Sequence, residues 1–215
     1  MSRSPAASMG FWSAVGCTVF SLLYVAGQLV EWLGWLGSAG GPSSRSTPMG
    51  IAVLLTPSLL LAPAFLLMMM AIHAITARDR QVYSHAGVAF ATMYATLVST
   101  VYFAQLTWVM PRLSAGRTQG LEPFIFEPFD SFLYTVDILG YSFMSIATLL
   151  AAPALRDTAG TGTAPVFLLA NAAVLPFLAF QMYWRELIWI ASVWAVTFPA
   201  ASWAMASVFR RGAAR

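Results

Sequence analysis

The chain contains no lysine, a single cysteine and a single asparagine, and only 9% of its 215 residues are charged. Each scarcity excludes something. One cysteine, Cys17, rules out an intramolecular disulfide and any thiolate metal cluster. Set in an apolar run, it reads as a buried, unreactive thiol. Soluble domains average about 25% charged residues. With 59% hydrophobic residues and a mean hydropathy of +0.74, this chain is expected to be an integral membrane protein. The phosphate-cradling GxxxxGK[ST], the dinucleotide-binding GxGxxG, the zinc-binding HExxH and the nucleophile turn GxSxG are all absent. So is a DDxxD-type cluster that would hold magnesium on a diphosphate. The acids are scattered, and His73 and His85 fall near the face opposite to most of them, so neither a metal nor another cofactor is expected. The pI near 9.4 follows from a surplus of three positive charges. Basic residues at membrane borders explain it without a nucleic-acid partner.

Long apolar runs fill what remains. A spanning helix needs about 20 apolar residues for a hydrocarbon core about 30 Å thick. Runs of that order cover 11–36, 49–76, 83–110, 129–155, 163–184 and 186–209. The expected fold is a single all-α domain over 1–215, a polytopic bundle of about six transmembrane helices. The first run continues to Leu36 and contains Glu31, so it reads as a span and not as a cleavable signal. Pro57 and Pro63 in the second run, Pro176 in the fifth and Pro199 in the sixth should kink or break their helices. Residues 111–128 mix charge, proline and the apolar triplet Phe124-Ile125-Phe126, which suggests a loop lying on the membrane surface or re-entering it. Six spans put both termini on one side with Arg3, Arg78, Arg80, Arg156, Arg210, Arg211 and Arg215, against Arg45, Arg112, Arg117 and Arg185 on the other. The positive-inside rule then makes this a multi-pass cell-membrane protein with cytoplasmic termini. No internal repeat supports an inverted-repeat transporter. Oligomeric state is not legible.

The fourth run carries the most informative pattern. Asp130, Tyr134, Asp137 and Tyr141 are spaced 0, 4, 7 and 11, one stripe of a helix. Asp137, eight residues in, lies about 12 Å along it. A carboxylate there costs roughly 2.5–3.5 kcal/mol on insertion scales, so an intramembrane acid is a functional candidate by default. Other polar groups converge at similar depth. Tyr24, Gln28 and Glu31 form a stripe on the first helix, Tyr102, Gln105 and Trp108 end the third, and Trp184 and Trp189 flank Glu186. Asn171 sits mid-span in the fifth. The candidate acid–base residues are Asp137, Glu31 and Glu186, and the other ten, with Asp130, are candidate lining for a hydrophobic small-molecule substrate. The plainer alternatives stay open. Glu31, Asp130 and Glu186 read equally well as solvated border residues, the tryptophans as an aromatic belt, and Asp137 as a hydrogen-bonding strut. A dry pocket favours the neutral form of a carboxyl group, which then has a proton to give to an alkene or epoxide. Aromatic faces can stabilise the resulting carbocation, and a second carboxylate can take the final proton.

The stretches YVAGQLVEW (24–32) and FDSFLYTVDILGY (129–141), with the size, the helical span pattern and the acids on separate helices, resemble the small membrane-integral terpene cyclases, including the bacterial type that cyclises prenylated indoles. The resemblance implies metal-independent, proton-initiated cyclisation of an isoprenoid-derived substrate, with Glu31 and Asp137 as paired acids and Glu186 as a third. Six spans here differ from the seven of the fungal members. The rival expectations are a small proton-coupled transporter or a lipid-binding accessory protein, or a structural subunit whose polar residues join helices.

Overall fold

The computed structural model describes residues 4–42, 44–156, 158 and 160–212. Arg3 and Arg215, counted among the charges at the chain ends, lie outside the described residues. The first helix, α1 (Pro5–Trp32), starts at Ser4, whose hydroxyl accepts the Ala7 N–H at 3.2 Å, with Pro5 in the first turn, where a missing N–H costs nothing. Helix α2 (Pro48–Ile75) repeats the device more tightly. Its cap Thr47 accepts from Gly50 N–H at 3.1 Å and donates to the Leu36 carbonyl at 2.6 Å, so one hydroxyl both starts the helix and ties down the preceding loop. Helix α3 (Gln81–Ala104) runs through a wider π turn at Gln105–Val109 into α4 (Met110–Ser114). Then come α5 (Phe132–Ala154), capped by Ser131 on Tyr134 N–H, the short pair α6 (Ala164–Ala172) and α7 (Leu175–Phe180), α8 (Ile188–Ala191), and α9 (Trp194–Gly212).

Among the described residues, five segments are long and apolar enough to cross a membrane: Pro5–Trp32, Pro48–Ile75, Arg78–Ser114, Phe132–Ala154 and Arg185–Arg211. The sixth apolar stretch, Ala164–Phe180, falls short of that length even when counted across the break at Ala173 and Val174. Pro176 lies in the first turn of the helix that restarts, and it can donate no hydrogen bond back to Ala172. Pro57, Pro63 and Pro199 lie inside helices that continue past them.

Each long helix packs on its neighbours in sequence, in the order α1, α2, α3, α5, α6, α9, and α9 closes back on α1. The ring therefore has no open edge. Small residues set its spacing. A Cβ on Gly10 would lie 2.6 Å from the Phe209 ring, and one on Gly140 would lie 2.6 Å from Cγ2 of Val98, so α1 meets α9 and α5 meets α3 where glycine allows. The Gly10–Phe209 contact also puts the two ends of the chain at the same end of the bundle. Hydroxyl contacts join the same helices, with Thr18 and Ser202 at 2.9 Å. The centre is filled by Phe65, Met68, Tyr94, Met144 and Phe198, all fully buried.

Candidate active site

At the end of the bundle away from the chain termini, the ring opens into a cavity of about 310 Å³. Its walls come from α1, α5, α7, α8 and α9, and its cover from irregular chain at Pro42, Phe126 and Pro128. The volume sits at the small end of the range for ligand pockets. Among the lining residues only Asp137 carries a carboxyl, amino or guanidinium group.

Asp137 is 4% exposed, and its Oδ1 has no hydrogen-bond partner. The Tyr102 hydroxyl approaches the carboxyl group from α3 and donates to the hydroxyl of Tyr141 at 3.1 Å. The stripe on α5 is realised in three of its four positions: Tyr134, Asp137 and Tyr141 line the cavity. Tyr134 donates to Oε1 of Gln181 at 3.2 Å, and the Gln181 amide donates in turn to the Leu178 carbonyl. Across the cavity, the Tyr24 hydroxyl donates to Oε1 of Gln28 one helical turn away at 3.0 Å. Trp194 stacks on Phe198, with ring centroids 5.3 Å apart, and meets the rings of Tyr24 and Tyr141 edge to face at 5.9 and 5.3 Å. Three aromatic rings thus surround the space beside one carboxyl group.

The other sequence candidates fall elsewhere. Glu31 is 2% exposed but does not line the cavity. On α1 it lies about 60° round from Gln28, given 100° per residue, and so faces α2. There it packs against Gly50, where a Cβ would come within 2.8 Å of its carboxylate. Its two oxygens make no well-aligned hydrogen bond, although the hydroxyls of Ser38 and Ser46 lie beside it. Glu186 is exposed, and Trp184, 59% exposed, packs on Phe180 and Tyr183. Trp189 stands behind the cavity rim, edge to face with Trp32 at 5.5 Å. Asn171 is a helix joint, donating to Thr148 of α5 at 3.2 Å and accepting from Thr197 of α9 at 3.4 Å.

Several candidates instead hold the cover in place. Gln105, inside the π turn, donates to the Phe124 carbonyl at 2.5 Å, drawing the 111–131 connection onto α3. Trp108 abuts Phe124 edge to face at 5.5 Å and carries the Arg112 guanidinium 4.5 Å over its own ring. Asp130 pairs with Arg185 at 3.2 Å on the surface, and Glu127 pairs with Arg45 at 2.7 Å. The Ser46 N–H donates to the Phe126 carbonyl, joining the two covering loops. Between them Phe129 adopts φ +71°, a left-handed conformation that costs a non-glycine residue about 1–2 kcal/mol. Its ring lies under the Arg185 guanidinium at 5.2 Å and beside Tyr134 at 5.7 Å.

Gln181 and Trp194 were not among the sequence candidates. The signal for Trp194 was its depth, eight residues inside the sixth apolar run and so below any aromatic belt. Gln181 was legible only as a lone amide near the end of the fifth. Comparison of the chain with protein-family models, with curated proteins and with solved structures gives no match.

Proposed function

We propose that the chain is a membrane-embedded isomerase of the terpene-cyclase kind, in which Asp137 protonates an isoprenoid-derived hydrocarbon held in the cavity. The observation that carries this reading is a buried carboxyl group, one oxygen unpaired, in the wall of an apolar cavity walled by Tyr24, Tyr141 and Trp194. The proton moves from the Asp137 carboxyl to an alkene carbon, forming a C–H bond and a carbocation. A second alkene of the same molecule attacks that cation and closes a ring. Loss of a neighbouring proton to the Asp137 carboxylate restores both the alkene and the acid, so product and substrate are isomers. A single carboxyl group suffices for this cycle, and Glu31, turned towards α2, takes no step in it. The aromatic faces stabilise positive charge as it moves, by about 0.5–2 kcal/mol per ring. Phe126 and Pro128 cover the cavity, and in this cycle their role is to keep water from the cation. The orientation with cytoplasmic termini belongs to the same proposal, and places the cavity towards the outer leaflet, so the substrate arrives through the bilayer.

A proton-coupled transporter would use the same cavity, and the Tyr102–Tyr141 hydroxyl contact beside Asp137 is a short piece of a proton path. Further in, however, Phe65, Met144 and Phe198 fill the core with apolar side chains, so cyclisation is the preferred reading.

The test uses membranes containing the full chain, supplied with a farnesylated indole and assayed by mass-resolved chromatography. The expected product has the mass of the substrate, and Asp137→Asn lowers turnover by 10²-fold or more, the usual contribution of a general acid. Undiminished turnover in folded Asp137→Asn, or proton-coupled uptake into vesicles without any isomer, would contradict the proposal.

A further inference from the structure

A second cavity, of about 420 Å³, lies at the opposite end of the bundle, between the start of α6 and the last turns of α9. Its lining changes character along its length. Ala200, Ala204, Ser207 and Arg211 succeed one another at helical spacing along α9, opposite Phe167, Ala164 and Thr161 on the α6 side. From Ala200 to Arg211 is eleven residues, about 16 Å of helix, or roughly half of a hydrocarbon core about 30 Å thick. The groove is thus one leaflet deep. Its inner part is apolar, with small alanines as the floor and Phe167 and the exposed Trp203 as flanks. Its outer part is cationic and hydroxylated, with Arg210, Arg211 and Thr163.

The arginines are placed there by the fold. Arg211 donates from Nε to the Ser207 carbonyl at 3.2 Å, which directs its guanidinium across to Gly162, where a Cβ would lie 3.6 Å from one of its terminal nitrogens. Gly162 has φ +57°, a left-handed conformation that glycine adopts without strain. Among the described residues neither arginine makes an ion pair with a carboxylate and no acid lines the groove. Two guanidinium groups above an apolar slot one leaflet deep complement a molecule with an anionic head and a hydrocarbon chain. Basic pockets between transmembrane helices commonly take anionic lipid headgroups.

We infer that this groove is a binding site for an anionic glycerophospholipid of the leaflet on the side of the chain termini, its phosphate held by Arg210 and Arg211 and one acyl chain lying along Ala204 and Ala200. The site is separate from the cavity around Asp137 and independent of its chemistry.

The experiment is native mass spectrometry of the detergent-solubilised full chain, titrated with phosphatidylglycerol, phosphatidylcholine or inorganic phosphate. Phosphatidylglycerol is expected to bind, and phosphatidylcholine and phosphate to bind at least tenfold more weakly. Each arginine near an anionic headgroup contributes about a factor of five, so Arg210→Gln with Arg211→Gln should weaken phosphatidylglycerol by about thirtyfold. Both residues are exposed, so the variant is expected to fold. Ala204→Leu, which fills the apolar floor, should weaken the lipid while leaving both arginines in place. Equal binding of the two lipids, binding of phosphate alone, or undiminished binding in the double arginine variant would overturn the inference.

Discussion

Two buried acids that look alike in the sequence meet different surroundings, and the difference is a matter of a single step round a helix. Asp137 stands in a cavity wall, whereas Glu31 is pressed against Gly50 of α2. Glu31→Gln is therefore expected to leave turnover within about twofold of the wild type, against a loss of 10²-fold or more for Asp137→Asn. The same assay applied to both variants checks this. Gly50→Ala should destabilise the chain by about 1–3 kcal/mol, because its Cβ would meet the Glu31 carboxylate at 2.8 Å. Combining it with Glu31→Ala should relieve most of that penalty, a coupling readable from the denaturation midpoints of the four chains of a double-mutant cycle. The sequence made Asp137 legible because an acid deep in an apolar run has few innocent reasons to be there. It left Glu31 ambiguous, since spacing along α1 tells which side chains share a face but not which neighbouring helix that face meets.

Among the elements, those with regular periodicity were readable and those with irregular backbone were not. The stripe on α5 followed from its spacing, and three of its residues reach the cavity; Asp130 does not, because the helix begins only at Phe132, past the Ser131 cap. The π turn at Gln105–Val109 carries no composition signal, yet it places the Gln105 amide on the Phe124 carbonyl and so fixes the cover. The break at Ala173 and Val174 was announced by Pro176. The 111–131 connection is held from outside by two surface ion pairs, and such pairs contribute about 0–1 kcal/mol each. Asp130→Asn is thus expected to shift the denaturation midpoint little while making the cover easier to open. Faster labelling of the cavity by a membrane-soluble, aromatic-reactive probe in Asp130→Asn would bear this out, and unchanged labelling would count against the cover's role.

For the whole molecule, the closed ring of helices is what lets one end hold a cavity while the centre stays packed. Composition made a membrane bundle the expectation, since hardly any charge is available for a water-facing surface, and five described helical segments are long and apolar enough to meet it. The order of packing was hidden because every helix is apolar on most faces, and the close contacts are chosen by single glycines. Gly140→Ala, whose Cβ would lie 2.6 Å from Val98, should loosen the α3–α5 contact and lower stability by about 1–3 kcal/mol, with partial recovery when Val98→Ala is added. The account as a whole rests on one proton passing from Asp137 to a carbon atom, and isotopic labelling follows that proton directly. Membranes equilibrated in heavy water and given less farnesylated indole than enzyme, so that each site turns over once from a solvent-exchanged acid, should yield a cyclised isomer carrying one solvent deuterium on carbon, and no such product from Asp137→Asn. A cyclised product free of deuterium, or one formed equally well by Asp137→Asn, would contradict the account.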